Sequence, residues 1–212
     1  MGLLLVWQWL EEKIMPLGAF KAALMGTAGA TTEGDVVLLA TATASGSSEL
    51  AFTSGLDSTY GEYIFKFYNL HPSASNPDLY FQTSVDGGSA YANATTTTMF
   101  RATHKEDGTG AALTYRVGRD AAQITSGLPL TGNSGNDADQ STAGEFHLFN
   151  PASTTYVKHF MAKTNGLQTG AGFSYQWHSA GYVNVTDNVD AIKFYFSTGN
   201  IDTGVIKMWG VK

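Results

Sequence analysis

The chain has 212 residues, a length that suits one domain with a short appendage. Its net charge of -6 and 14% charged residues argue against a nucleic-acid-binding protein, which needs clustered lysines and arginines. The absence of cysteine excludes disulfides, thiolate catalysis and cysteine-based metal sites, and the 43% hydrophobic content excludes a disordered chain.

The first 30 residues differ in character from the rest of the chain. An apolar run over residues 3–10 is followed directly by charged residues, which makes it too short to span a membrane. The lack of a basic residue before this run argues against a signal peptide. We interpret residues 3–14 and 17–25 as two short helices separated by Pro16, and residues 26–34 as a flexible linker.

We predict that this N-terminal segment is an anchoring arm. Tryptophan and leucine side chains exposed to water would be unfavourable, so we expect them to dock on a neighbouring subunit. The predicted organisation is therefore an arm with its linker at residues 1–30 and a body at residues 31–212. The expected assembly contacts are Leu3, Leu4, Leu5, Trp7, Trp9, Leu10 and Phe20.

From residue 35 onward, short runs rich in Val, Ile, Thr, Tyr and Phe alternate with clusters of Gly, Asn, Asp, Pro and Ser, and no helical period is present. The predicted strands are residues 35–44, 48–53, 60–69, 78–85, 92–103, 111–117, 143–150, 155–163, 172–185, 190–197 and 203–211. This pattern predicts an all-β protein, a jelly-roll-like antiparallel β-sandwich with a short N-terminal helical arm.

Two of these runs alternate clearly between apolar and other residues, which predicts the side chains that face the core. The expected core residues are Tyr63, Phe65, Phe67, Ile192, Phe194 and Phe196. The longest predicted connection, residues 125–140, is rich in Gly and Asn and is of the kind that crosses between sheets or carries function.

No motif for hydrolysis, phosphoryl transfer or metal catalysis is present, so we predict neither an enzyme nor a cofactor. The best metal candidate is His147 with Glu145 and His159, because residues two apart on a strand share a face. A four-residue loop at 151–154 would place His147 opposite Lys158 and turn His159 to the other face, so no metal site is predicted. A loop one residue shorter or longer would align the two histidines.

Two further patterns have a structural and a functional interpretation. Residues 136–140 carry oxygen ligands suited to Ca²⁺, but without the spacing of a dedicated calcium loop, and we interpret them as turn residues. Aromatic rings on strands are chiefly core residues, although a solvent-facing ring can stack on a sugar. The residues expected to contact a glycan, if one binds, are Tyr175, Trp177 and Tyr182.

Five segments together resemble virion structural proteins of marine tailed bacteriophages. The most distinctive contains Phe52-Thr53-Ser54-Gly55-Leu56-Asp57-Ser58-Thr59-Tyr60. The five segments are residues 49–63, 84–89, 135–141, 150–160 and 197–211. Met15-Pro16-Leu17-Gly18-Ala19 is similar to the usual start of these proteins, and the 14 residues before it depart from that pattern.

The resemblance implies a β-sandwich displayed on the surface of the phage particle, as a head decoration or cement protein or as part of a tail fibre or appendage. It implies no catalytic residues. The expected partners are capsid or tail subunits and further copies of the chain, with a trimer as the expected homo-oligomer. The alternatives are a tail fibre that binds a host surface glycan and, from another class, a secreted carbohydrate-binding module.

Overall fold

The computed structural model describes residues 35–168, 170 and 172–212 of the chain, and these residues contain β-strands and no helix. The strands are β1 (Val36–Thr43), β2 (Leu50–Phe52), β3 (Glu62–Pro72), β4 (Leu79–Ser84), β5 (Thr95–Lys105), β6 (Ala112–Tyr115), β7 (Ala121–Ile124), β8 (Leu128–Pro129), β9 (Thr142–Phe149), β10 (Lys158–Gln168), β11 (Phe173–Val183), β12 (Ala191–Phe196) and β13 (Ile201–Val211). The predicted arm and its assembly contacts lie outside the described residues.

The strands form two antiparallel sheets, which confirms the prediction of an all-β sandwich. The nine-stranded sheet has the order β1-β13-β3-β9-β10-β11-β5-β6, and β7 pairs with the same strand β5 as β6 does. The four-stranded sheet has the order β2-β12-β4-β8. Each predicted strand overlaps an observed one, whereas β7 and β8 were not predicted because they are too short for an alternating pattern to be recognised.

The core between the two sheets is aromatic. Phe146 of the nine-stranded sheet lies 4.7 Å from Phe81 of the four-stranded sheet, measured between ring centroids. Phe65 lies 5.3 Å from Phe194 in the same way. All six side chains predicted for the core from alternation are buried. Both ring pairs are tilted, and aromatic pairs add to the stabilisation that burial provides.

The strands β10, β11 and β5 continue the nine-stranded sheet beyond β9, and a second, smaller cluster of buried residues lies on their inner face. Residues 116–135 cover this region. The Thr164 hydroxyl donates a hydrogen bond to the Leu130 carbonyl at 2.9 Å, and the guanidinium of Arg119 lies 5.5 Å from the Trp177 ring. The opposite face of these strands has no such cover from the described residues, and it carries the candidate site.

Candidate functional site

The outer face of the nine-stranded sheet, defined as the side turned away from the four-stranded sheet, has a row of mostly apolar side chains at its centre. The strand register places Ile64 beside His147, His147 beside Met161 and Met161 beside Ala180. Met161 is 53% exposed although its strand lies in the interior of the sheet. Ile64, His147 and Ala180 beside it are half-buried. A row of mostly apolar, partly exposed side chains in this position is suited to contact with another molecule.

Four hollows follow β10 along the outer face, with volumes of about 670, 380, 350 and 350 Å³. Neighbouring hollows share lining residues: His159 joins the first to the second, Met161 the second to the third, and Lys163 the third to the fourth. At a rise of about 3.3 Å per residue, the distance from Val157 to Asn165 is roughly 26 Å. The hollows therefore form one open trough along the strand.

The largest hollow lies at the loop of residues 150–157, and we call it the loop hollow. Its lining residues come from two separate parts of the chain, residues 57–61 and residues 149–159. Tyr156 is 72% exposed at its rim. The two parts lie far apart in the chain, so the fold brings two distant segments together at this hollow.

Buried Lys158 holds the loop of the hollow in place. Its ammonium group donates hydrogen bonds to the carbonyl oxygens of Ser153, Tyr156 and Val185, at 2.5, 3.0 and 3.1 Å. Burial lowers the pKa of Lys158. The side chain acts as a clamp between the loop and the end of β11. Sequence reasoning missed this role, because a lysine at the start of a strand usually points into solvent.

The opposite wall is fixed by Asp57 and Tyr63. The backbone N–H of Thr59 donates to the Asp57 carboxylate at 2.8 Å, and the Tyr63 hydroxyl donates to the same oxygen at 3.0 Å. The hydrogen bonds from Thr59 lower the pKa of Asp57, whereas burial raises the pKa of Tyr63 to about 12. Asp57 is therefore a carboxylate at neutral pH, held within a rigid turn at the rim of the hollow.

The observed register between β9 and β10 differs from the predicted one, and this changes where the histidines lie. The connection between β9 and β10 spans residues 150–157 instead of 151–154, so His147 pairs with Met161 and not with Lys158. This odd shift of three residues turns Lys158 inward and places His159 on the same face as His147.

His147 is paired with carboxylates, not grouped with the other histidines. Its Nδ1 lies 2.5 Å from a Glu62 oxygen and its Nε2 lies 3.6 Å from a Glu145 oxygen. Among the described residues, no group of three or more His, Asp or Glu side chains is arranged to hold a metal ion.

A stacked pair of rings lies further along the trough. The rings of Phe100 and His178 are parallel within 5° and their centroids are 4.7 Å apart. Burial and, to a lesser extent, the charge of Lys163 lower the pKa of His178. The imidazole is therefore neutral at neutral pH, and the stack presents an uncharged aromatic surface to the trough.

The three residues predicted as glycan contacts lie in different places. Trp177 and Tyr175 are 1% and 5% exposed on the inner face, where Arg101 lies 4.1 Å from the Tyr175 ring. Burial argues against both as glycan contacts, because the inner face is covered by residues 116–135. Tyr182 is half-buried on the outer face and lines the second hollow.

The acidic stretch considered for calcium forms a turn. The N–H of Gln140 donates to the carbonyl of Asp137 at 2.8 Å, and the N–H of Asp137 donates to the side-chain oxygen of Gln140 at 3.2 Å. These local hydrogen bonds agree with the interpretation of the stretch as turn residues.

Comparison with known proteins adds no relative. Within the described part of the chain, no helix is long and apolar enough to cross a membrane. No protein-family model, curated protein or solved structure matches this chain.

Proposed function

We propose that this chain is a non-catalytic structural protein of a tailed-phage particle, displayed on the particle surface where it decorates or cements the capsid. The observation that carries the proposal is the mostly apolar, partly exposed row on the outer face, centred on the exposed Met161. Removing apolar surface from water is worth about 25 cal/mol per Å², so covering this row with a neighbouring subunit stabilises the assembly. The five segments that resemble phage virion proteins support the same role.

We further propose that the body is a jelly roll. Four strands of the large sheet have the order β1-β13-β3-β9, and the small sheet has the order β2-β12-β4-β8. Strands that follow one another in the chain, such as β1 and β2 or β3 and β4, thus occupy matching places in opposite sheets. Wrapping a long antiparallel hairpin into two layers produces this arrangement, which occurs in viral capsid proteins and lectins.

The test is incorporation of variants into phage particles. Met161→Glu places a charge at the centre of the outer face, and we expect its incorporation to fall about tenfold, equivalent to about 1.4 kcal/mol of contact energy. The matched control is Ala51→Glu, which adds the same charge at an exposed position of the small sheet. Normal incorporation of Met161→Glu, or absence of the wild-type protein from purified particles, would contradict the proposal.

The proposed anchoring role of the N-terminal segment has its own test. A truncated chain that begins at Glu33 is expected to fold and to be absent from particles, because it lacks the apolar run of residues 3–10. The copy number relative to the major capsid protein then separates two locations. Hundreds of copies indicate a head decoration, and a handful indicate a tail component.

A specific observation favours a second candidate function, binding of a host surface glycan at the loop hollow. Tyr60, Tyr156 and His159 surround a hollow of about 670 Å³ whose rim carries the Asp57 carboxylate. Aromatic rings stack on sugar faces, and a carboxylate accepts hydrogen bonds from sugar hydroxyls.

The glycan candidate is tested with a glycan array. Binding by the wild type that is lost in Tyr156→Ala is the expected result. Tyr68→Ala is the control, because Tyr68 is exposed on the same sheet outside the lining of the hollow. Equal binding by both variants, or no binding by the wild type, would count against this candidate and leave the structural role unaffected.

A further inference from the structure

The free edges of the two sheets differ in how they are protected against pairing with another strand. Monomeric proteins protect such edges with bulges, very short strands, charges or proline. In the described part of the chain, the edge strand β1 has a register shift between Leu38 and Ala40, β2 has three residues, and β8 is a two-residue strand that contains Pro129. The fourth edge is shared by β6 and β7, which both pair with β5, and β6 has none of these features except modest length.

Strand β6 is apolar, uncharged and exposed. Its sequence is Ala112-Leu113-Thr114-Tyr115, and it pairs with β5 without a bulge. Leu113 is 71% exposed and Tyr115 is 52% exposed. The register places Tyr115 beside Phe100, which is also exposed, so the apolar surface continues from the edge onto the outer face.

The backbone of β6 is oriented for pairing on its free side. The N–H of Arg116 donates to the Met99 carbonyl at 2.9 Å, which identifies the hydrogen-bonded side at this point of the ladder. Because this side alternates along an antiparallel strand, the N–H and C=O groups of Thr114 point to β5, and those of Leu113 and Tyr115 point away from it. No strand of the described residues lies on that side.

We propose that β6 pairs with β6 of a second copy of this chain, antiparallel, about a twofold axis that passes midway between the two copies of Thr114. The axis is normal to the sheet, so the outer face of one copy continues into the outer face of the other. Leu113 then lies opposite Tyr115 of the second copy, and the two residue pairs exchange four backbone hydrogen bonds.

A second copy fits this edge for three reasons. The Leu–Tyr pairs bring apolar side chains together on one face, which stabilises paired strands. The strand has no charged side chain, so no like charges lie opposite each other within the pairing despite the net charge of -6 on each chain, and the nearby Asp120 carboxylate accepts a hydrogen bond from the Tyr115 hydroxyl at 2.8 Å. A twofold interface uses the same patch twice and closes at a dimer. This geometry differs from the expected trimer and extends beyond the proposed role in the particle.

A cysteine cross-link tests the register. Thr114 would face its own copy in a non-hydrogen-bonded pair with Cα atoms about 4.5 Å apart, within disulfide range. The chain has no cysteine of its own, so Thr114→Cys introduces a single thiol. Under mild oxidation we expect Thr114→Cys to form a covalent dimer. Leu113→Cys is the matched control, because its two copies would be about 8 Å apart, too far for a disulfide.

The mass of the full chain in solution tests the dimer itself. Analytical ultracentrifugation is expected to give twice the monomer mass of 22.6 kDa for the wild type and the monomer mass for Leu113→Glu. Leu38→Glu, at an exposed position of the opposite edge strand, is expected to remain dimeric. A monomeric or trimeric wild type, a dimer unaffected by Leu113→Glu, or equal cross-linking of both cysteine variants would overturn the proposal. Particle incorporation is measured separately, so failure here is distinguishable from failure of the structural role.

Discussion

The two faces of strand β10 have different surroundings. On the inner face, Phe160 and Ala162 are buried among side chains of both sheets. On the outer face, His159, Met161 and Lys163 are exposed along the trough. The inner face is complete within one chain, whereas the outer face carries apolar surface that the described residues leave uncovered. This difference separates the residues that hold the fold from those available for contact with other molecules.

The largest expected effect is the difference in stability loss between an alanine substitution on the inner face and one on the outer face. Phe146→Ala on the inner face removes a ring packed against Phe81 and Phe160, and it should lower the free energy of unfolding by about 3 to 5 kcal/mol. Met161→Ala on the outer face should lower it by less than about 1 kcal/mol. Urea denaturation measures both. Similar losses for the two variants would show that the outer face is also part of the stabilising core.

A smaller effect is expected for the two lysines of β10. Lys158→Met leaves the carbonyls of Ser153, Tyr156 and Val185 without their donor, and we expect a loss of about 2 kcal/mol together with faster hydrogen exchange in residues 150–157. Lys163→Met is the control on the outer face, with an expected change of less than about 0.5 kcal/mol. An unchanged exchange rate in the loop of Lys158→Met would contradict the role of this lysine as a clamp.

The smallest expected effect is a pH dependence of the free energy of unfolding, caused by Asp57 at the rim of the loop hollow. The pKa of Asp57 is lowered from 3.8 by the hydrogen bonds from Thr59, so the carboxylate stabilises the folded state fully above pH 3.8. This contribution is lost as the pH falls through the lower pKa of the folded state. Because Asp57 is exposed, we expect this contribution to the free energy of unfolding to be less than about 1 kcal/mol.

Thermal unfolding as a function of pH checks this prediction. Asp57→Asn should lose less stability than the wild type on acidification below pH 3.8. Asp139→Asn removes the same charge from a different loop and serves as the control. Parallel stability curves for Asp57→Asn and the wild type would show that the turn does not depend on the Asp57 carboxylate.

Much of the fold was predictable because alternation along a strand is a local property. The positions of Tyr63, Phe65 and Phe67 two residues apart identified a buried face, and the structure places all three in the core. Strand β8 was not predictable in this way. Its two residues include Pro129, and it is held by pairing with β4, which lies far away in the chain.

The candidate site was less predictable because it depends on loop length and on distant contacts. A connection of residues 150–157 instead of 151–154 was enough to reverse the face of Lys158 and His159. The rings of Tyr175 and Trp177 share a face by alternation, but the pairing with β10 makes it the inner face and residues 116–135 bury it.

The sequence by itself determined that the body is a two-layered antiparallel β protein, where eleven of its thirteen strands lie and which side chains alternate together. These properties depend on neighbouring residues, whose spacing is the same in every arrangement of the strands. Only the tertiary structure decided which faces of β10 and β11 are buried, which segments meet at the loop hollow and which edge is left unprotected. Those properties depend on contacts between residues far apart in the chain, and a shift of a single residue in register reverses them.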